Sequence, residues 1–192
     1  MKWVALAILI VIVPFTYLTL HFRKPDPAFH PYDDMQKRAN TARLLSAGFQ
    51  RVPLVATRPA LTAGTTHAAT ANSAPGGLPS SLTATLVESP KLSADIVSVS
   101  AAPTAATGAA YPIQFTCTLP DNKQQLAGAA LFVRNGEIVI TPEFEKLTGS
   151  LLSRTRETVG LLTVPAGALK PGRYQVTLVG AQSSRTWTLQ VH

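Results

Sequence analysis

Twenty consecutive residues, Trp3 to Phe22 (WVALAILIVIVPFTYLTLHF), carry no Asp, Glu, Lys or Arg. Wound as a helix at about 1.5 Å per residue, such a run measures about 30 Å, the hydrocarbon thickness of a bilayer. The sequence therefore predicts one transmembrane helix, an anchor over residues 1–24 with the remaining chain on one side of the membrane. Trp3 at one end, and Tyr17, Arg23 and Lys24 at the other, are the expected membrane-interface residues, because amphipathic rings and cations settle at the headgroups. Pro14 lies within the run and predicts a kink. A cleaved signal peptide is the rival reading. Signal cores span about 7 to 15 residues and end in a small-x-small site, whereas this run ends in Thr19, Leu20, His21, Phe22, Arg23 and Lys24.

Orientation draws on two opposed signals. Arg23, Lys24, Lys37, Arg38 and Arg43 follow the run, and positive charge favours the cytoplasm. A short Lys2-bearing lead and a β-rich downstream domain instead match an export signal, and large domains translocate largely regardless of charge. The expectation adopted is an inner-membrane, single-pass envelope protein with an exported, periplasmic carboxyl domain.

The formal net charge is +7. It is uneven: residues 21–60 hold seven Lys and Arg against three Asp, while residues 81–192 hold nine against seven acids. The basic excess sits close to the apolar run, with no recognition-helix or RNP-like pattern, so nucleic acid is not expected as a partner. One cysteine, Cys117, forms no internal disulfide.

Between the run and residue 58 lies a juxtamembrane segment, 25–58. Pro25, Pro27 and Pro31 force an extended path, after which Asp33 and Gln36 form a capping box and Gly48 a stop, predicting a helix over 33–47. Met35, Ala39, Ala42, Leu45 and Phe49 recur at helical spacing and make one apolar stripe, the candidate partner-facing surface. Next comes FQRVPLVATRPAL, whose Pro53 and Pro59 restrict it to an extended segment along a sheet edge. Residues 59–82, rich in Ala, Thr, Ser, Gly and Pro, read as a disordered linker.

Residues 83–192 carry eight short strand-forming runs: Thr83–Glu88, Asp95–Ser100, Tyr111–Leu119, Ala129–Arg134, Glu137–Thr141, Thr158–Val164, Arg173–Val179 and Arg185–Val191. Asn135-Gly136 between apolar runs signals a hairpin, and Thr141-Pro142 a helical turn reaching Lys146. The fold class expected is all-β, a β-sandwich. The closing run ALKPGRYQVTLVGAQSSRTWTLQV resembles the last two strands of bacterial immunoglobulin-like and fibronectin-III-like domains. That resemblance implies an immunoglobulin-like sandwich and no particular activity.

Candidate chemistry is sparse. Cys117 shares a strand face with Tyr111, Ile113, Phe115 and Leu119, which predicts a buried structural thiol. His21, His30, His67 and His192 are scattered, and the methionines are Met1 and Met35 alone, so no metal site is read. Glu143 and Glu145 are spaced two apart, and no G-x-S-x-G, H-E-x-x-H or phosphate loop occurs. The expectation is a non-enzymatic protein without cofactor or small-molecule substrate. Its tethered domain binds another protein, as an accessory or assembly subunit of a membrane complex. The alternatives are a copper-handling assembly factor for a respiratory oxidase and a cell-wall or polysaccharide binder.

Overall fold

Strand-forming runs dominate after residue 50, and each has one apolar side to bury. Along Tyr111–Thr118 the side chains of Tyr111, Ile113, Phe115 and Cys117 are buried, while the alternate positions are exposed or half-buried. The computed structural model describes residues 2–3, 11–18, 31–57, 59, 71–147, 152–153 and 155–192. The chain divides into two units, Met1–Lys37 and Arg38–His192.

In the first unit, residues 2–3 and 11–18 are helical. This corrects the expected transmembrane helix: among the described residues, no helix is long and apolar enough to cross a membrane. Within the expected span, the described helical stretch 11–18 covers about 12 Å of rise. Residues 4–10 and 19–22 of the expected span lie outside the described residues, as do Arg23 and Lys24. Trp3 and Tyr17 are largely exposed. Helix α1, Pro31–Ser46, starts two residues before the expected helix and continues into the second unit.

Among its described residues, the second unit contains ten strands: β1 (Gln50–Thr57), β2 (Asn72–Pro75), β3 (Ser93–Ala101), β4 (Thr104–Ala105), β5 (Tyr111–Thr118), β6 (Gln124–Arg134), β7 (Glu137–Lys146), β8 (Glu157–Val164), β9 (Gly172–Leu178) and β10 (Gly180–Val191). A short helix, α2 (Ser80–Thr83), precedes β3. Hydrogen-bonded neighbours run β10–β3–β5–β8–β1–β6–β7–β9, and β9 pairs again with β10. The ring closes into an eight-stranded barrel, with β2 and β4 attached to β10. Around the ring, β10–β3 and β7–β9 are parallel and the other pairs antiparallel.

The immunoglobulin-like sandwich is therefore replaced by a closed barrel. Two long-range seams account for the change. β1 was expected as an extended segment outside the sandwich. It pairs with β6 from Gln50 to Val55, then crosses to β8 through Ala56 and Thr57, joining sheets a sandwich would keep apart. Twelve-residue β10 pairs first with β3 and then with β9, closing the other side. At the β3 seam its ladder is interrupted between Gly180 and Ser183, and beyond the Ser183–Asp95 pair the Arg185 side chain reaches across to β3. Arg185 Nε and Nη2 donate to the carbonyl oxygens of Ile96 and Val97 at 3.1 and 2.8 Å.

Three local expectations also change. Thr83–Glu88 is not a strand; Thr83 ends α2, whose Leu82 is fully buried. The expected helical turn at 141–146 is the second half of β7, where Pro142 faces Ala129 and Phe144 packs against the core. Pro142 fits there because β9 pairs with β7 only from Glu137 to Ile140. Part of the expected linker is ordered as β2 and α2, while residues 60–70 lie outside the described residues.

The barrel interior holds Phe115, Leu131, Ile140, Leu162, Leu178, Trp187 and Leu189 among others. A polar chain within it is satisfied: Trp187 Nε1 donates to Tyr111 Oη at 3.3 Å, and Tyr111 Oη donates to the Ala102 carbonyl at 2.7 Å. Burial raises the Tyr111 pKa, partly offset by the Trp187 hydrogen bond. A second apolar layer lies outside the wall. Ala130 and Phe132 of β6 and Val139 of β7 point outward and are covered by Leu44, Phe49, Leu82 and Val179. β6 and β7 are thus apolar on both faces, giving continuous buried runs over Ala129–Phe132 and Ile138–Thr141.

Candidate functional site

The junction of α1 with β1 is built by a helix stop. Gly48 takes φ +77°, a left-handed conformation that glycine adopts without steric cost. Its N–H donates to the Leu45 carbonyl at 3.0 Å, and the Phe49 N–H reaches back to the Leu44 carbonyl at 2.8 Å. This paired closure is a Schellman motif, and the apolar contact that accompanies it is Leu44 with Phe49, 2% and 4% exposed. The chain then turns directly into β1, which lies beside the helix.

Between them runs a groove of about 320 Å³. Leu44 and Phe49 form its floor, Thr41 and Leu45 one wall, and Arg51 and Pro53 the other. Leu45 is 66% exposed, so a large apolar side chain stands open at the lip. Along β1 the outward residues alternate, which continues the apolar surface from Pro53 to Val55, itself 73% exposed.

Arg51 lines the groove, and a second arginine contacts one of its lining residues. Arg51 Nη2 donates to Glu143 Oε1 of β7 at 2.9 Å, and both side chains are about half exposed. The guanidinium of Arg134, last residue of β6, lies 4.3 Å from the centroid of the Phe49 ring. That stacking orients a cation beside the groove while adding cover to its floor.

Of the candidate partner-facing residues, Ala39, Ala42 and Leu45 are exposed on α1, and Met35 is also largely exposed. Phe49 departs from that stripe, being buried in the outer apolar layer. On α1, buried Leu44 faces the barrel, with half-buried Asn40 before it and half-buried Ala47, just past the helix end, after it. Asn40 Oδ1 accepts from the Val87 N–H at 2.7 Å, tying the helix to the loop after α2. Sequence reasoning missed Arg51, Pro53 and Arg134, because β1 was read as an edge segment and Arg134 as a strand end. The Leu44-Gly48-Phe49 spacing is the signal that could have placed the junction.

Elsewhere the chemistry is structural. Cys117 is fully buried, and burial pushes its thiol pKa up to about 12. Among the described residues, no group of three or more His, Cys, Asp or Glu converges. Glu143 is engaged with Arg51, and Glu145 accepts from Gln125 Nε2 at 2.6 Å. Comparison of the chain with protein-family models, with curated proteins and with solved structures gave no match.

Proposed function

We propose that this chain is a non-catalytic binding protein whose barrel presents the groove between α1 and β1 to a segment of another protein. The observation that carries the reading is the open apolar lip above a closed floor: exposed Leu45, Pro53 and Val55 beside buried Leu44 and Phe49. Such a surface is costly to leave in water and gains about 1.5–3 kcal/mol for each large apolar side chain it helps to bury. Its floor is fixed by the helix stop, so little ordering is needed on binding. Among the described residues, the charged side chain lining the groove is Arg51, held by Glu143, an arrangement suited to orienting a partner.

Site-specific photo-crosslinking tests it. A photoreactive residue placed at position 45 should give one discrete adduct, competed by unmodified protein. The same group at Val97, an exposed position on β3, should give none. Identical adducts from both positions, or none from position 45, would refute the proposal.

A further inference from the structure

We infer that Asn135 is a site of spontaneous deamidation, and that its isoaspartyl product loosens the β7–β9 seam of the barrel. Of the four asparagines, Asn40, Asn72, Asn122 and Asn135, only Asn135 is followed by glycine. A glycine nitrogen is the least hindered nucleophile the backbone offers, because no Cβ shields it. Asn135 is exposed at the tip of the β6–β7 hairpin, and among the described residues neither its side chain nor the Gly136 N–H has a hydrogen-bond partner. The Asn40 side chain, by contrast, holds the Val87 N–H.

The Gly136 nitrogen gives up its proton and bonds to the side-chain carbonyl carbon of Asn135; the amide C–N bond there breaks, and ammonia leaves with that proton. Water then opens the cyclic imide at either carbonyl, giving aspartate or an isoaspartyl link whose main chain runs through Cβ and Cγ. Asn135 at φ +49° and Gly136 at +81° form a two-residue turn between the paired Arg134 and Glu137, and that turn resists the rotation ring closure needs. The folded chain therefore reacts more slowly than a free peptide, at a rate set by opening of the turn.

The same turn begins a seam. The Gly136 carbonyl accepts from the Gln175 N–H at 2.9 Å, just ahead of the Glu137–Gln175 pair that opens the β7–β9 ladder. A Cβ on Gly136 would stand 3.4 Å from the Arg173 carbonyl oxygen, so the turn lies against the start of β9. An isoaspartyl link adds one backbone atom to a turn whose two residues match the twist of the flanking strands, which displaces the Gly136 carbonyl from Gln175.

Ageing the full chain in mildly alkaline buffer, with peptide mass spectrometry, tests the site. The peptide spanning positions 135 and 136 should gain about 1 Da and become a substrate for an isoaspartyl methyltransferase, while those carrying Asn40, Asn72 and Asn122 keep their mass. Asn135→Gln, whose longer side chain closes a ring far less readily, should hold its mass. Hydrogen exchange on the purified isoaspartyl form tests the consequence. The Gln175 amide should exchange about five- to tenfold faster than in the parent, the loss of one hydrogen bond. Freshly prepared Asn135→Asp, which adds the charge without the extra backbone atom, should exchange as the parent does. An Asn135 that stays intact while a free peptide of the same sequence is fully converted, or equal conversion at Asn122, would overturn the site. Unchanged Gln175 exchange in the isoaspartyl form, or the same acceleration in Asn135→Asp, would overturn the link to the seam.

Discussion

The guanidinium of Arg134 lies 4.3 Å from the centroid of Phe49, linking the tip of the β6–β7 hairpin to the turn that ends α1. Phe49 is 4% exposed and completes the outer apolar layer. Phe49→Ala is expected to cost about 3–5 kcal/mol, as truncation of a buried aromatic does. Arg134→Ala should cost about 0.5–1 kcal/mol, the range of a partly exposed cation–π contact. Urea unfolding of both single variants and the double variant checks this. A coupling energy near zero would show that the contact carries no stability.

Gly48 holds φ +77°, with open space where a Cβ would stand. Backbone strain alone therefore predicts that Gly48→Ala destabilises by about 1–2 kcal/mol. Gly48→Asn should recover part of the loss, since Asn tolerates the left-handed region better. Thermal melts of the two variants decide it. An alanine variant as stable as the parent would contradict the helix stop.

At the β3–β10 seam, beyond the last paired position Ser183–Asp95, Arg185 adds two side-chain bonds to the Ile96 and Val97 carbonyls. Its removal takes a charged donor from both carbonyls, one of them on the fully buried Ile96. Arg185→Ala is expected to cost about 1–3 kcal/mol, the range for hydrogen bonds to a charged donor, lowered by partial exposure. Hydrogen exchange should also rise first at the amides of β3. Uniform acceleration across all strands would argue that the seam is not an independent weak point.

How much of this was legible follows from where each signal is local. The alternation in Tyr111–Thr118 and in Gly172–Leu178 is readable because a half-buried strand has period two. The Asn135-Gly136 turn is equally local, and both residues take positive φ, 49° and 81°. Barrel closure leaves no such mark, since the inward pattern of a strand is the same in a sandwich and a barrel. Closure depends on pairs such as Ala56 with Leu162, more than a hundred residues apart. Pro53 and Pro59 also disguised β1. Pro53 is accommodated because, from Gln50 to Val55, β1 pairs with β6 alone among the described residues.

The exposed face of α1 was partly visible. Apolar spacing selected Ala39, Ala42 and Leu45, which the structure leaves exposed. The barrel instead receives Leu44 with Asn40, a polar residue whose amide finds the Val87 N–H. A docked helix face that includes a hydrogen-bonded Asn is invisible to hydrophobic periodicity.

Cys117 sets a prediction in alkaline solution. Its thiol ionises near 9.0 when exposed and is pushed to about 12 by burial. Above the unfolded value the unfolded chain releases a proton that the folded chain keeps, so stability falls as pH rises from that value toward the folded one. One such group contributes a slope of about 1.4 kcal/mol per pH unit. Cys117→Ala should start less stable at neutral pH, through its cavity, and lose that share of the slope between about pH 9 and 10. Denaturant melts across that window measure it. Parallel curves for parent and variant would contradict the burial of the thiol.

The most direct test of the groove is which face of α1 is open to solvent. Because Cys117 is buried, single cysteines can be introduced and labelled with a maleimide against little background. Leu45→Cys and Ala42→Cys should label at the rate of an unstructured peptide. Leu44→Cys, in a chain shown by circular dichroism to be folded, should be slower by about a hundredfold or more, limited by local opening. The reverse order, with position 44 fast and positions 42 and 45 protected, would mean that the apolar stripe faces the barrel and that the groove does not exist.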